Sequence, residues 1–422
     1  MIDSFLQIFL VVRSSVDGIL DMIKLGSSGL TAGAMLNAVI VVVATIGFLS
    51  RRSSLLPMGI WLPTLLVSSL SILWAPDPAF ALRQLFVLVT YASAFSLPFL
   101  VKRSLQGNPF FLRLVVYSSV VPTIFGSVEL IRYHDASHRI MATFLHPNVF
   151  AFYLVIVIGT IFYLLASARS GFRPLVRVLV IVYAAVLCIL LVLTQTRAAW
   201  LGLIPILATY ALLIDRRFLL LWAVLPAVLF VPSVSARLAD LQRGYAVTSD
   251  LTEDGINSFA WRELMWDSAM SDLGESVWLG KGLGSFAANS TSFFPLADPQ
   301  ATYSKGVGAH NVYIQLRYEI GYIGLFAYIL VFGAVGLACL RAYKYNRRSV
   351  AVLVAVVVSF MVESYSDNML EYGAVNAYFW IFVGTAISNW RRLDELRSSV
   401  ILEPGQKRVP SSVTADILAL SR

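Results

Sequence analysis

The sequence predicts an all-α polytopic membrane protein, with about twelve transmembrane helices and one large external, partly helical loop. Three observations carry this. Of 422 residues, 58% are hydrophobic and only 13% charged, with a mean hydropathy of +0.77, more apolar surface than a soluble domain needs. Apolar runs of ~20 residues recur along the chain, the length that crosses a bilayer core of ~30 Å. Basic residues gather in alternate loops, the pattern that sets orientation in a membrane. An open sheet would leave backbone groups unsatisfied in lipid, so the runs read as helices.

In chain order the runs lie near 30–49, 54–74, 83–101, 113–131, 148–166, 175–195, 198–214, 217–233, 310–340, 349–366 and 373–389. A twelfth, Ile2–Val12, reaches only half length before Arg13. When the runs alternate across the bilayer, one side collects Arg51 and Arg52, Lys102, Arg103 and Arg113, Arg169, Arg173 and Arg177, Arg216 and Arg217, and Arg341, Lys344, Arg347 and Arg348, together with the tail. That side holds most of the 32 Lys and Arg and reads as cytoplasmic.

The chain then divides into an N-terminal bundle (1–233), an external cap loop (234–309), three C-terminal helices (310–390) and a cytoplasmic tail (391–422). The loop contains helical stretches such as "SFAWRELMWDSAM", so it reads as a small folded cap. The net charge of +8 reports orientation and not a nucleic-acid partner. Cys188 and Cys339 sit inside apolar runs and offer no disulfide framework. No cleavable signal pattern is present; the spans themselves would direct insertion.

The run 310–340 opens with polar groups that are costly in lipid. At ~100° per residue, His310, Tyr313, Arg317 and Gly321 fall on one helical stripe, and Glu319 on the opposite side. An imidazole at that surface has an unperturbed pKa of ~6.5 and suits a base; capping the helix end is the structural alternative. Arg197, in "TQTRAAWLGL", stands at an outer junction where short loops are poor in Arg; snorkelling to headgroups is its alternative. Arg262 lies on a cap helix, where a solvated surface role is the alternative. "GKGLGSF" (Gly280–Phe286) lacks the preceding strand of a nucleotide loop and reads as a tight turn shaping the cap. "HDASH" puts His134 and His138 at i and i+4, yet no third ligand is evident, so no metal and no cofactor is expected.

The order of motifs resembles a family. "SILWAPDPAFALRQ" precedes "RIMATFLHPNVFAFYL" and "TQTRAAWLGL"; "WRELMW" and "WLGKGLGSF" follow in the cap; then comes "HNVYIQLRYEIGYIGLF". Together they resemble the bacterial O-antigen ligase and Wzy-type polysaccharide polymerase superfamily over nearly the whole chain. The resemblance implies a GT-C-like, inverting, metal-independent glycosyltransferase in the bacterial inner membrane, with its site on the external face. The donor would be an undecaprenyl-diphosphate-linked glycan, and the acceptor another glycan or lipid A-core. Arg197 and Arg262 match the family's external arginines, whose fork geometry suits a diphosphate. His310 matches its histidine, which would deprotonate the acceptor hydroxyl. Asn311, Tyr313, Arg317, Glu319 and Arg139 are expected to bind substrate or support the site. Polymerase is the leading reading and ligase the alternative. A lipid-linked oligosaccharide transporter fits less well, because the charges cluster at one face and no internal repeat appears.

Overall fold

The computed structural model describes residues 2–25, 30–50, 56–101, 109–133, 138–167, 172–220, 235, 239, 258–294, 306–344 and 346–401. The expected run 217–233 lies almost wholly outside these residues, as do much of the cap loop, His134 and the tail after 401. What is described is helical, apart from one two-residue antiparallel pairing of Lys24–Leu25 with Leu30–Thr31.

The helices that matter here are α1 (Ile2–Val12), α2 (Ala32–Ser50), α3 (Leu62–Ser71), α4 (Pro78–Ser96), α5 (Phe110–Ser118), α6 (Val120–Arg132), α7 (Pro147–Ala166), α8 (Pro174–Leu193) and α9 (Arg197–Leu213). The cap contributes α10 (Ser258–Leu273) and α11 (Ser285–Phe293). The C-terminal part holds α12 (Val312–Tyr343), α13 (Arg347–Ser366) and α14 (Gly373–Ile401). Among the described residues seven helical segments are long and apolar enough to cross a membrane, and the chain is a multi-pass membrane protein. The run expected at 54–74 is shorter than it reads, because Leu56–Gly59 and α3 form separate helices.

α7 is the axis of the bundle. Its residues from Phe150 to Ala166 are all buried, and it packs against α8, α9, α13 and α14. Lipid tails are as apolar as Leu, so close packing rather than water exclusion must hold such helices together. Gly159 supplies it: a Cβ there would collide with Val356 of α13. One turn further along the same face of α13, Phe360 stacks on Phe379 with centroids 3.8 Å apart, and Trp380 meets Trp61 edge-on at 4.7 Å. Such pairs contribute about 0.5–1.5 kcal/mol each beyond their area and tie the segments before α3, α13 and α14 into one core.

α12 is broken at Gly321, whose φ of 66° and ψ of −172° are not helical. The break frees backbone groups that lipid cannot satisfy. The segment 277–282 satisfies them. Lys281 and Gly282 N–H donate to the carbonyls of Tyr318 and Glu319 at 2.9 and 2.8 Å, while Tyr322 and Ile323 N–H donate to Val277 and Trp278 at 2.9 and 3.3 Å. Gly280 and Gly282 have φ of 71° and 98°, and a Cβ on either would strike Glu319 or Ala75. The "GKGLG" glycines are therefore the means by which a cap turn is spliced into a broken helix.

Candidate functional site

Four helix ends meet beneath the cap: the starts of α7, α9 and α12 and the end of α13. They meet around Asp367, whose side chain is 2% exposed. Its Oδ1 accepts from the Asn368 N–H at 2.8 Å and the Tyr372 hydroxyl at 2.7 Å, and lies 3.6 Å from His310 Nδ1. Its Oδ2 accepts from Asn148 Nδ2 at 2.5 Å. Burial would raise this carboxyl, but the His310 imidazole, the Tyr372 hydroxyl and the Asn368 N–H outweigh it and hold Asp367 below the usual aspartate range.

His310 does not occupy the helical stripe expected of it. Asn311 caps α12, its Oδ1 accepting from the Tyr313 and Ile314 N–H groups at 2.9 and 3.2 Å, so the helix begins only at Val312. His310 precedes the cap with a φ of 49°, and its N–H donates to Asn368 Oδ1 at 2.6 Å. The Asn368 amide lies 3.4 Å from His310 Nδ1, and the Trp261 ring stands 6.4 Å from the imidazole. Nδ1 thus faces Asp367 and Asn368.

The arginines divide. Arg262 reaches down from α10 and donates from Nη1 to the Ser366 carbonyl at 2.7 Å. It is also close enough to Asp367, Arg197 and Tyr372 to feel their charges; burial and Arg197 lower its pKa, and Asp367 opposes them. Arg197, the first residue of α9, is near enough to Arg262 for its charge to be felt there. Arg139 is instead a strut: its Nε donates to the Thr194 carbonyl at 3.0 Å, and its Nη2 to Asn148 Oδ1 at 2.6 Å and Thr196 Oγ1 at 3.1 Å. It holds the turn that presents Arg197. A continuous polar chain thus runs from Arg139 through Asn148 and Asp367 to His310.

The remaining expected residues point elsewhere. Tyr313 donates its hydroxyl to the Met361 carbonyl at 2.9 Å, tying α12 to α13. The Arg317 guanidinium sits 4.6 Å over the Tyr322 ring, beside the splice. Glu319 is 2% exposed; it accepts from Gln315 Nε2 at 3.2 Å and from the backbone at Gly284 and Phe286. There it accepts from the N–H groups that open α11, which lack intrahelical partners. His138, of the rejected metal pair, bonds Glu129 Oε1 at 2.7 Å. The stripe argument failed because it assumed an unbroken helix from 310 to 321, whereas the cap at Asn311 and the break at Gly321 bound it on both sides.

Sequence reasoning missed Asp367, Asn368, Tyr372 and Asn148. A signal existed: "SYSDNMLEYG" places Asp367, Asn368 and Glu371 between two apolar runs, where polar side chains are expensive. The backbone marks the same end. The three non-glycine residues with positive φ among those described are Ala142, Gln195 and His310, and all lie in turns around this polar chain.

Residues 182–329 match the family model described as O-antigen ligase, a segment that includes Arg197, Arg262, His310 and the Gly321 break. No curated protein matches the chain. The match supports the O-antigen ligase and polymerase superfamily and, with the membrane spans, a role in glycan transfer at a membrane.

Proposed function

From the O-antigen ligase match and the geometry around Asp367, we propose that the chain transfers a glycan from undecaprenyl diphosphate to an acceptor hydroxyl on the external face of the bacterial inner membrane. The observation that carries this reading is the meeting of His310 with Asp367 and of Arg262 with the neighbouring Ser366 carbonyl, with Arg197 near enough to Arg262 for its charge to be felt. About twelve spans in a GT-C-like arrangement would present that place to the outer leaflet.

In the proposed step, the acceptor oxygen attacks the anomeric carbon as the carbon–phosphate oxygen bond breaks. His310 Nε2 takes the acceptor's proton, and the ionised Asp367 orients the imidazole and stabilises its cationic form. A positioned base of this kind contributes ~10²–10⁴-fold. The undecaprenyl diphosphate leaves as an anion, and Arg197 and Arg262 neutralise the charge that grows on it, so no proton need be delivered to the leaving group. One attack from the opposite face inverts the anomeric centre.

The acceptor is read as a second lipid-linked glycan, making the chain a polysaccharide polymerase. The second reading is a ligase that uses lipid A-core or another acceptor; the O-antigen ligase match accommodates both. Surface glycans from a deletion strain test both. Single-repeat glycans are expected for a polymerase, and lipid-linked polymer without attached product for a ligase. A strain with unaltered surface glycans would sink the proposal.

A further inference from the structure

Arg317 is a cation of α12 that the step above leaves unused. It is half-buried, and its Nε is buried with no hydrogen-bond partner. Among the described residues no carboxylate pairs with its guanidinium, which lies 4.6 Å over the Tyr322 ring. Stacking on a ring fixes the guanidinium plane and leaves the donors on its edge unspent.

Length places this pair at a membrane boundary. Beyond the break, the straight part of α12 from Tyr322 to Tyr343 is about 33 Å long at ~1.5 Å per residue, close to a hydrocarbon core of ~30 Å. Its far end carries the same pairing, with the Arg347 guanidinium 5.6 Å over the Tyr343 ring. Tyrosines at both ends of a core-length helix mark the two headgroup levels. Tyr322 therefore stands at the level on the cap's side, and its ring draws the Arg317 guanidinium there.

The surface beside the pair is apolar. Trp278, Leu279, Ile323 and Phe326 are exposed next to Tyr322, and the Trp278 and Tyr322 rings stand 5.7 Å apart. In a membrane such a face meets acyl chains, and an unpaired guanidinium at its upper edge complements the phosphate above them.

We propose that Arg317, framed by Tyr322 and Trp278, binds the phosphate of a phospholipid in the leaflet on the cap's side. The guanidinium edge donates to the phosphate oxygens, and the acyl chains lie along Ile323 and Phe326. The bound headgroup pins the broken end of α12, and the cap turn spliced into it, at a fixed depth. The proposal does not rest on the glycan-transfer reading.

Native mass spectra of the purified full-length protein in detergent, with dioleoyl-phosphatidylglycerol added, test it. The unaltered protein should hold one phospholipid about tenfold more tightly than Arg317→Gln does, the worth of a charge-assisted hydrogen bond. Dioleoylglycerol, with the same chains and no phosphate, should not be retained. Equal retention of the phospholipid by Arg317→Gln would overturn the inference. So would its displacement by inorganic phosphate, which would make this a plain anion site, or by undecaprenyl-diphosphate glycan, which would give Arg317 to the donor. A readout on the unaltered protein covers a variant that fails to fold. Its Tm should rise with phosphatidylglycerol and not with dioleoylglycerol, and an equal response to both would sink the proposal.

Discussion

At the start of α12 the structure is held by side chains, whereas at Gly321, further along the same helix, it is held by the backbone. Around His310 the partners are Asp367, Asn368 and, through Asp367, Asn148 and Tyr372: carboxylate, amides and a hydroxyl whose identity sets charge and proton position. Around Gly321 the partners are carbonyls and N–H groups of residues 277–282, and the side chains that matter there are the absent ones of Gly280, Gly282 and Gly321. The difference separates two kinds of motif residue. Substitution at the first place should change chemistry at constant fold; substitution at the second should change the fold at constant chemistry.

The most severe test of that division is His310. His310→Ala and His310→Gln should each lower transfer by ~10²-fold or more while protein in the membrane and donor affinity stay normal. Near-normal turnover in the Gln variant would mean that His310 only orients a substrate. Next come the arginines. Arg197→Ala and Arg262→Ala should greatly reduce transfer, and Lys should restore only part of it, because a point charge cannot copy a bidentate fork. Equal recovery by Lys would remove the fork from the argument.

Gly321→Ala should behave in the opposite way. A left-handed residue with a Cβ costs about 1–3 kcal/mol, and here the Cβ would also collide with Trp278. Folded protein and Tm should fall, while transfer per folded molecule holds. A stable but inactive Gly321→Ala would join the two regions into one functional unit and break the comparison.

Asp367 sharpens it through pH. Its folded pKa is depressed, so its contribution to stability is present above the usual aspartate value of ~3.9 and lost as pH falls through the lower folded value. Asp367→Asn should therefore flatten the acid limb of a stability–pH curve below pH ~4 and leave the neutral region's shape alone. A change of slope near pH 6 would assign that titration to another group. The smallest effect belongs to Asn311, whose replacement by Ala should cost ~1 kcal/mol as the cap of α12 is lost, read as a modest drop in Tm.

Much of this was legible in the sequence because lipid imposes few solutions. Apolar runs of spanning length, alternating basic loops and the "HNVY" stretch indicated the helices and His310. Arg197 and Arg262 stood out as cations in places that ordinarily lack them. The breaks were not legible. Hydropathy runs unbroken across Gly321, since a residue's apolar character does not record its φ, and the partner of that break lies in another segment. Asp367 was missed for a related reason: the six-residue connection 367–372 between spans carries no periodicity, and its meaning comes only from the Asn148 and His310 brought to it by other helices. Arg139 carried a signal, but the sequence could not tell a strut beneath Arg197 from a ligand for substrate.

The splice at Gly321 also sets an order of assembly. Residues 277–282 leave the ribosome before 318–323, so the cap turn must wait with its N–H and C=O groups unpaired until the helix that needs them arrives. Neither piece is complete alone: α12 inserted without the turn would carry exposed backbone into lipid, at a cost of several kcal/mol per group. A chain cut between the cap and α12 should therefore recover its membrane helix only when both fragments are made together.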